Sequence, residues 1–389
     1  MNIASHPHAP CPGPVVGWGY NKYGQSDVPE GLTAVQIATG LEHSLALREN
    51  GTVTVWGGNR FGQTQAPDGL TGIVQVASGC RHSLALRGDG TVVAWGNNAY
   101  GETDVPTGLS DVVQVSAGLC VSLALRKDGT IVAWGGDFHG QTEVPEGLTA
   151  VQISTGREHN VALRKDGTVI AWGHDYSRPV PAGLRDVVQV AAGDAHSLAL
   201  RADGTVIAWG WNRDGQTDVP DGLSKIVQVA AGDGQSLALR ADGTVIAWGN
   251  DYGRPVPEGL RASCLASGYL HSLAIESVPD RSRRLESESG DGQRLQAGKV
   301  FRACRVRVTK PDGCGEGDVP VTFRLQGTYA TFGKGSTQSP TTAIVETGPD
   351  GTCASPPIKS YAGATGIIHV KASTGPDTVY FALTARESV

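Results

Sequence analysis

The sequence predicts an all-β chain: a closed seven-bladed β-propeller over residues 13–277, then a β-sandwich over residues 296–389. Three observations predict it. A Trp-Gly dipeptide recurs with tryptophans at 18, 56, 95, 134, 172, 209 and 248. Short apolar runs alternate with Gly, Pro, Asp and Asn, which is the punctuation of strands and turns. The two ends of the repeat array are half-repeats that complement each other.

The tryptophan spacing of 37–39 residues suits one four-stranded blade. A second element, close to His-Ser-Leu-Ala-Leu, starts at His43, His82, Val121, His159, His196, Gln235 and His271. In the copy spanning residues 183–220, strands are expected at 187–191, 197–201 and 205–210, with a short fourth at 217–219. Asp203-Gly204 joins the second and third, because Asp-Gly supplies the positive φ of a tight hairpin. A single blade cannot bury both faces, so it needs neighbours. The first Trp-Gly, at Trp18, has no His-Ser-Leu-Ala-Leu strand before it. The last such strand, from His271, has no Trp-Gly after it. Pairing them closes the ring and removes an exposed sheet edge.

The loops Trp18–Gln25 and Trp209–Gln216, with the Gly-x-x-His-Ser-Leu-Ala-Leu strands, resemble the regulator of chromosome condensation repeat. The copies are compact and regular, and are similar to bacterial members of that superfamily, including the propeller-type β-lactamase inhibitory protein. That resemblance implies a scaffold whose loops on one face clamp a partner. In the inhibitory relative, the loop after Trp-Gly and the residues before His-Ser-Leu-Ala-Leu lie on that face. Here the latter are mostly acidic or small where the relative carries aromatics, so the resemblance does not extend to β-lactamase inhibition.

Residues 1–12 read as a flexible tail and 278–295 as a polar linker, rich in Arg, Glu and Ser. Strand patterns return at 300–308, 319–325, 343–346, 366–371 and 379–384, with Pro-Asp-Gly turns at 311–313 and 349–351. That rhythm is one of a β-sandwich. The segments around Cys314 and Cys353 resemble bacterial immunoglobulin-like domains, which act as spacers. In that topology the two cysteines sit in turns at one end of the sandwich, and a Cys314–Cys353 disulfide is expected.

The formal charge is −6, which gives no basic excess to neutralise phosphates and argues against nucleic-acid binding. No apolar run reaches the ~18 residues of a membrane span. The first residues lack the basic and apolar regions of a secretory signal, whereas the sandwich and its cysteines point to an extracellular or cell-surface location. No catalytic motif of the Gly-x-Ser-x-Gly, His-Glu-x-x-His or phosphate-loop kind occurs, and no cofactor is implied.

Four sets of residues remain. The five histidines sit at equivalent repeat positions, too far apart to converge on one metal ion, and are expected to bond to backbone. Gln36, Gln75, Gln114, Gln152, Gln189 and Gln228, with Cys264 as the seventh member, are expected to line a solvated channel. The repeat tryptophans are expected in the inter-blade core. The loop after each Trp-Gly varies, and each carries an aromatic: Tyr23, Phe61, Tyr100, Phe138, Tyr176, Trp211 and Tyr252. With Arg60, Arg213 and the pre-strand residues Glu42, Arg81 and Glu158, these aromatics have the composition of interface anchors. Two readings stand: they bind a partner, or they only cap the blades. The expected role is non-catalytic recognition of a partner protein. The alternatives are sugar stacking on the loop aromatics and a structural part in a secreted assembly.

Overall fold

The structure is a computed structural model. It describes residues 12–174, 179–253 and 255–277, together with the backbone of a set of strands between Arg284 and Arg386. The chain divides into two compact units, Met1–Val278 and Pro279–Val389.

The first unit is the propeller. Its blades are three-stranded antiparallel sheets, each with an inner, a middle and an outer strand. Blade one is Gln36–Thr39, His43–Leu47 and Val53–Gly57. Blade two is Ile73–Ser78, His82–Arg87 and Val92–Gly96. Blade three is Val112–Ala117, Val121–Arg126 and Ile131–Gly135. Blade four is Gln152–Thr155, His159–Leu163 and Val169–Gly173. Blade five is Val187–Ala192, His196–Arg201 and Val206–Gly210. Blade six is Ile226–Ala231, Gln235–Arg240 and Val245–Gly249. In blade seven, Ala262–Ser267 and His271–Glu276 are completed by Gly13–Gly19. That last pairing runs from Val15 opposite Ile275 to Gly19 opposite His271. The ring is therefore closed as the half-repeats predict.

The expected fourth strand fails in blade five. Thr217–Val219 is loop, where Val219 N donates to Thr217 O and Asp218 N to Gly215 O. The segment spends its backbone groups on local turns rather than on a ladder. Blade seven alone gains a two-residue fourth strand, Thr33–Ala34, against Gly13 and Pro14.

The core lies between blades, not within them. One cluster joins Leu84 and Leu86 of blade two to Val112, Val115, Ala124 and Trp134 of blade three. Equivalent clusters bury Trp18, Trp56, Trp95, Trp172, Trp209 and Trp248. Middle strands are buried up to their closing arginine because blades cover both of their faces. The Asp-Gly hairpins stiffen the opposite end. Asp89 Oδ1 accepts from Thr91 N at 2.9 Å and from Thr91 Oγ1 at 2.7 Å, and Asp128, Asp166 and Asp203 repeat the motif.

In the second unit, Pro320–Gln326, Thr342–Glu346, Gly366–Thr374 and Asp377–Arg386 form one sheet with Arg294–Gln296. Smaller sheets flank it in sequence. Arg284–Ser289 and Arg294–Gln296 are strands inside the segment expected as linker. Cys353 falls on strand Thr352–Ala354 rather than in a turn. The Cys314–Cys353 pairing lies outside the described residues.

Candidate functional site

Five of the loops after Trp-Gly are held by a residue that the repeat buries. Gln25, Gln63, Gln141 and Gln216, with Glu102 at the fifth position, are at most 3% exposed. Each side-chain oxygen accepts the backbone N–H two residues earlier: Tyr23 on Gln25 at 2.9 Å, Phe61 on Gln63 at 2.8 Å, and Tyr100 on Glu102 at 2.8 Å. The same residue's carbonyl points into the next blade. Gln63 O accepts Trp95 Nε1 at 3.0 Å and Ser83 Oγ at 3.3 Å. Glu102, Gln141 and Gln216 repeat this with Trp134, Trp172 and Trp248. One buried residue thus fixes a loop above with its side chain and locks two blades below with its main-chain carbonyl.

Two further belts hold these seams. His43 Nε2 bonds Ser83 Oγ in the next blade at 2.9 Å, and the pattern continues through His82–Ser122, His159–Ser197 and His196–Ser236. His271 Nε2 meets Ser44 Oγ at 2.8 Å across the closing seam. The partners are serine hydroxyls, not the backbone groups expected. Burial drives these imidazoles well below their ordinary range, to about 3 for His43, His196 and His271 and about 4 for His82 and His159. They are structural and neutral. At the third seam the pair changes together: Val121 replaces the histidine, and Asn160 replaces the serine and donates to Gln141 O at 2.9 Å.

The inner glutamines, of which Gln36, Gln75, Gln114 and Gln189 are half-buried, do more than line a channel. Gln75 Oε1 accepts Val115 N at 2.8 Å while its Nε2 donates to Val115 O at 3.1 Å. Gln114, Gln152, Gln189 and Gln228 clamp the next inner strand in the same way. A primary amide offers a donor and an acceptor side by side, which is what an unpaired strand edge requires. Cys264 occupies the seventh position with a buried thiol that has no such pair of groups, and burial pushes it up to about 12.

The pre-strand residues and the varied loops lie on one face, since the first loop residue donates to a pre-strand carbonyl: Gly58 N to Glu42 O, Asn97 N to Arg81 O, His174 N to Glu158 O. On this face Tyr23, Tyr100, Phe138, Trp211 and Tyr252 are 39–57% exposed. Arg60 and Arg213 are exposed and Phe61 half-buried. Tyr176 lies outside the described residues.

The structure brings some of these residues together. Arg81 sits over the Phe61 ring at 4.6 Å and Arg60 at 5.5 Å. Tyr100 and Phe138, from neighbouring loops, meet edge to face with centroids 4.9 Å apart. Gly136 makes this possible, because a Cβ there would lie 3.0 Å from the Phe138 ring. The rim from Phe61 to Phe138 is thus an aromatic and cationic arc. The next part of the rim is ionic. Arg157 approaches Asp194 at 3.5 Å and Glu158 at 3.9 Å, and His139 approaches Glu158 at 3.7 Å. Burial and the neighbouring Asp233 push the Asp194 carboxyl upward, opposed by Arg157. Tyr252 is tied down, its hydroxyl donating to Asp233 at 2.8 Å. Lys22 lies over the Tyr23 ring at 5.5 Å.

Sequence reasoning missed the Asp194–Asp233–Arg157 group, which varies in the repeat and has no motif. It also missed exposed Val74, Val113, Val188 and Val227, 39–56% accessible at the opposite end of the inner strands. A signal was present: those four blades carry one extra residue before the strand, at Gly72, Asp111, Asp186 and Lys225, each with positive φ. Among the described residues no group of three or more His, Cys, Asp or Glu could hold a metal ion, and no helix is long and apolar enough to cross a membrane.

Comparison with known proteins agrees with this architecture. The regulator of chromosome condensation (RCC1) repeat model matches residues 34–63, 73–102, 112–141, 150–177, 187–216 and 226–253. Each match runs from an inner strand into the following loop, and the split seventh blade escapes it. No curated protein matches the chain by sequence. Among solved structures, yeast RCC1 (Prp20) bound to Kap60 is similar at 20% identity and TM-score 0.60, over 71% of this chain and 92% of that one. Saccharomyces cerevisiae Prp20p, studied for binding to Gsp1p and histones, is similar at 20% identity and TM-score 0.58, over 69% and 92%. The CRINKLY ectodomain of Arabidopsis thaliana ACR4 is similar at 22% identity and TM-score 0.53, over 64% and 92%.

Proposed function

The chain carries an RCC1-like β-propeller, and from that premise we propose that its loop face binds a partner protein and catalyses no reaction. The observation that carries this reading is the arc of Arg60, Phe61, Arg81, Tyr100 and Phe138. Large aromatic groups stand half-exposed there on a backbone held by buried Gln63 and Glu102. Rigid aromatics beside arginine are what interface hot spots are made of. Anchoring them on a fixed loop lowers the ordering cost of binding. The solved relatives add support, since yeast RCC1 was crystallised with Kap60 and Prp20p was tested against Gsp1p and histones. The second unit serves as spacer or docking domain in this proposal.

The test is affinity capture from the source cells with the intact chain and with a variant carrying Ala at Phe61, Tyr100, Phe138 and Trp211. A specific partner is expected to be lost from the variant while its unfolding midpoint is unchanged. Equal recovery by both would overturn the reading. A saturable signal on a glycan array, lost in the same variant, would replace protein by carbohydrate as the ligand.

A further inference from the structure

On the loop face two arginines are held in place yet make no ion pair among the described residues. The loops after Trp56, Trp95 and Trp134, with Arg81 and Cys120 beside them, are described throughout. Arg60 and Arg81 are exposed and lie against one ring, their guanidinium carbons 5.5 and 4.6 Å from the Phe61 centroid. The ion pairs of the described residues are made by Arg157, His139 and Arg261 instead. The acids of these three loops are engaged elsewhere. Glu102 is buried and accepts from Tyr100 N at 2.8 Å and from Asn97 Nδ2. Asp104 accepts from Asn98 Nδ2 at 2.7 Å, and Asp137 from Thr142 N at 2.9 Å. Glu42 lies over Gly58, where a Cβ would meet Glu42 Cβ at 3.1 Å.

A guanidinium held on an aromatic ring still presents N–H groups to a second partner. The backbone at Phe61 is fixed by Gln63 Oε1 at 2.8 Å, so ring and arginines are positioned before a ligand arrives. Next to them is an apolar corner. The Tyr100 and Phe138 rings meet at 85° with centroids 4.9 Å apart. Gly136 adjoins both: a Cβ there would lie 3.0 Å from the Phe138 ring, 3.2 Å from Cys120 Cβ and 3.4 Å from Tyr100 Cβ. Arg81 links the two parts, because its charge acts on Cys80 and on Cys120. Burial pushes those thiols up to about 12 and about 11, so neither brings a negative charge to the arc.

We propose that this arc receives an acidic side chain of the partner protein, an Asp or Glu that adjoins an aromatic or large apolar residue. The carboxylate takes N–H groups of Arg81 and Arg60 beside Phe61, and the apolar neighbour packs into the corner of Tyr100, Phe138 and Gly136. Charge complementarity selects the acid. Two stacked cations without an internal carboxylate gain a charge-assisted bond from it and give up none. A chain-terminal carboxylate fits less well, because such groups are captured in cradles of free backbone N–H. Here Phe61 N and Tyr100 N already donate to Gln63 and Glu102, and Gly58 N and Asn97 N to the carbonyls of Glu42 and Arg81. The inference rests on the loop face being the protein-binding one.

The test uses the whole chain labelled with ¹⁵N and the arginine Nε–H resonances as readout. The probes are N-acetyl-Glu-Phe-amide and N-acetyl-Phe-Glu-amide. At least one is expected to shift Arg81 and Arg60 saturably, at roughly millimolar to tens of millimolar for so small a ligand, while Arg213 stays still. The same peptides with Gln for Glu should bind about tenfold more weakly or not at all, as a charge-assisted bond requires. Arg81→Lys should lose most of the response although it keeps the charge, because an ammonium lacks the planar fork. Silence at both arginines, or equal shifts by the Glu and Gln peptides, overturns the site. A response only to N-acetyl-Phe with a free carboxyl end assigns the arc to a chain terminus and overturns the side-chain occupant. If the loop-aromatic variant loses its partner while the peptides are silent on the intact chain, the protein-binding reading stands and this site fails. If the variant keeps its partner while the intact chain responds by charge, the arc stands as a carboxylate site and that reading fails.

Discussion

The seam between blades two and three and the seam between blades four and five are built from equivalent strands, yet they close differently. In the first, Glu102 is buried, and its carbonyl takes Trp134 Nε1 at 3.1 Å and Ser122 Oγ at 2.8 Å. In the second, the loop is two residues shorter and Trp209 has no such acceptor among the described residues. Trp209 is nevertheless 8% exposed and packed with Val161, Leu163 and Val190. The difference separates two jobs that the repeat normally combines. Apolar packing and the inner glutamine clamps hold the blades together. The loop glutamine plugs the seam and aims the loop above it. The second job can be given up at one seam without the first.

The largest test addresses what the two seams share, the histidine–serine belt. Folding keeps five imidazoles neutral with values of about 3 to 4, against ~6.5 for an unfolded histidine. The unfolded chain therefore binds protons first, so stability is full above pH ~6.5 and falls as pH drops toward the folded values. At pH 5 each histidine is expected to cost about 2 kcal/mol, several kcal/mol together, read as a drop in urea midpoint between pH 7.5 and 5. Changing His82 and Ser122 to Val and Asn, the pair found at Val121 and Asn160, should lower the proton uptake on unfolding by one.

A smaller effect is expected from the inner clamp, common to both seams. Gln114→Leu strands the N–H of Ile153 in a buried place and should cost about 1–3 kcal/mol in chemical denaturation. A cost below ~0.5 kcal/mol would mean the clamp is ornamental. The comparison itself is sharpened by Trp134→Phe and Trp209→Phe. Both lose similar volume, but only the first loses a bond to a loop carbonyl, so it should be more destabilising by about 1 kcal/mol. Equal costs would break the distinction between the seams. Smallest of all, Phe138→Ala should change stability by no more than ~0.5–1 kcal/mol, because the ring is 57% exposed and touches mainly Tyr100.

Much of the fold was legible because the sequence says the same thing seven times. Trp18 and His271 at the ends of the array revealed the closure, and the recurring tryptophans revealed an inter-blade core. The misreadings concern polar residues whose partners lie on another blade. Alternation shows that Gln75 leaves its strand on the opposite face from Val76, but not that Val115, forty residues on, waits for it. His43 likewise needs Ser83, and no local pattern links them. Thr217–Val219 looked like a strand by composition, yet its backbone is taken by turns before it could pair. On the loop face the aromatics could be listed from the sequence. That Tyr100 and Phe138 would touch, while Tyr252 is tied to Asp233, depends on the loop geometry that Gly136 and the short loop at Tyr252 create.

The pairing of Gly13–Gly19 with His271–Glu276 has a consequence in time. During synthesis the first strand leaves the ribosome with its partner unmade, and Ile275 follows Val15 by about 260 residues. At ~5–20 residues per second, that is roughly 13–50 seconds in which six blades can form but the ring cannot shut. Throughout that interval the growing arc has a bare edge, on a strand of Val15, Val16 and Trp18 that any neighbouring nascent chain could borrow. The molecule's most exposed moment comes just before its last blade is finished.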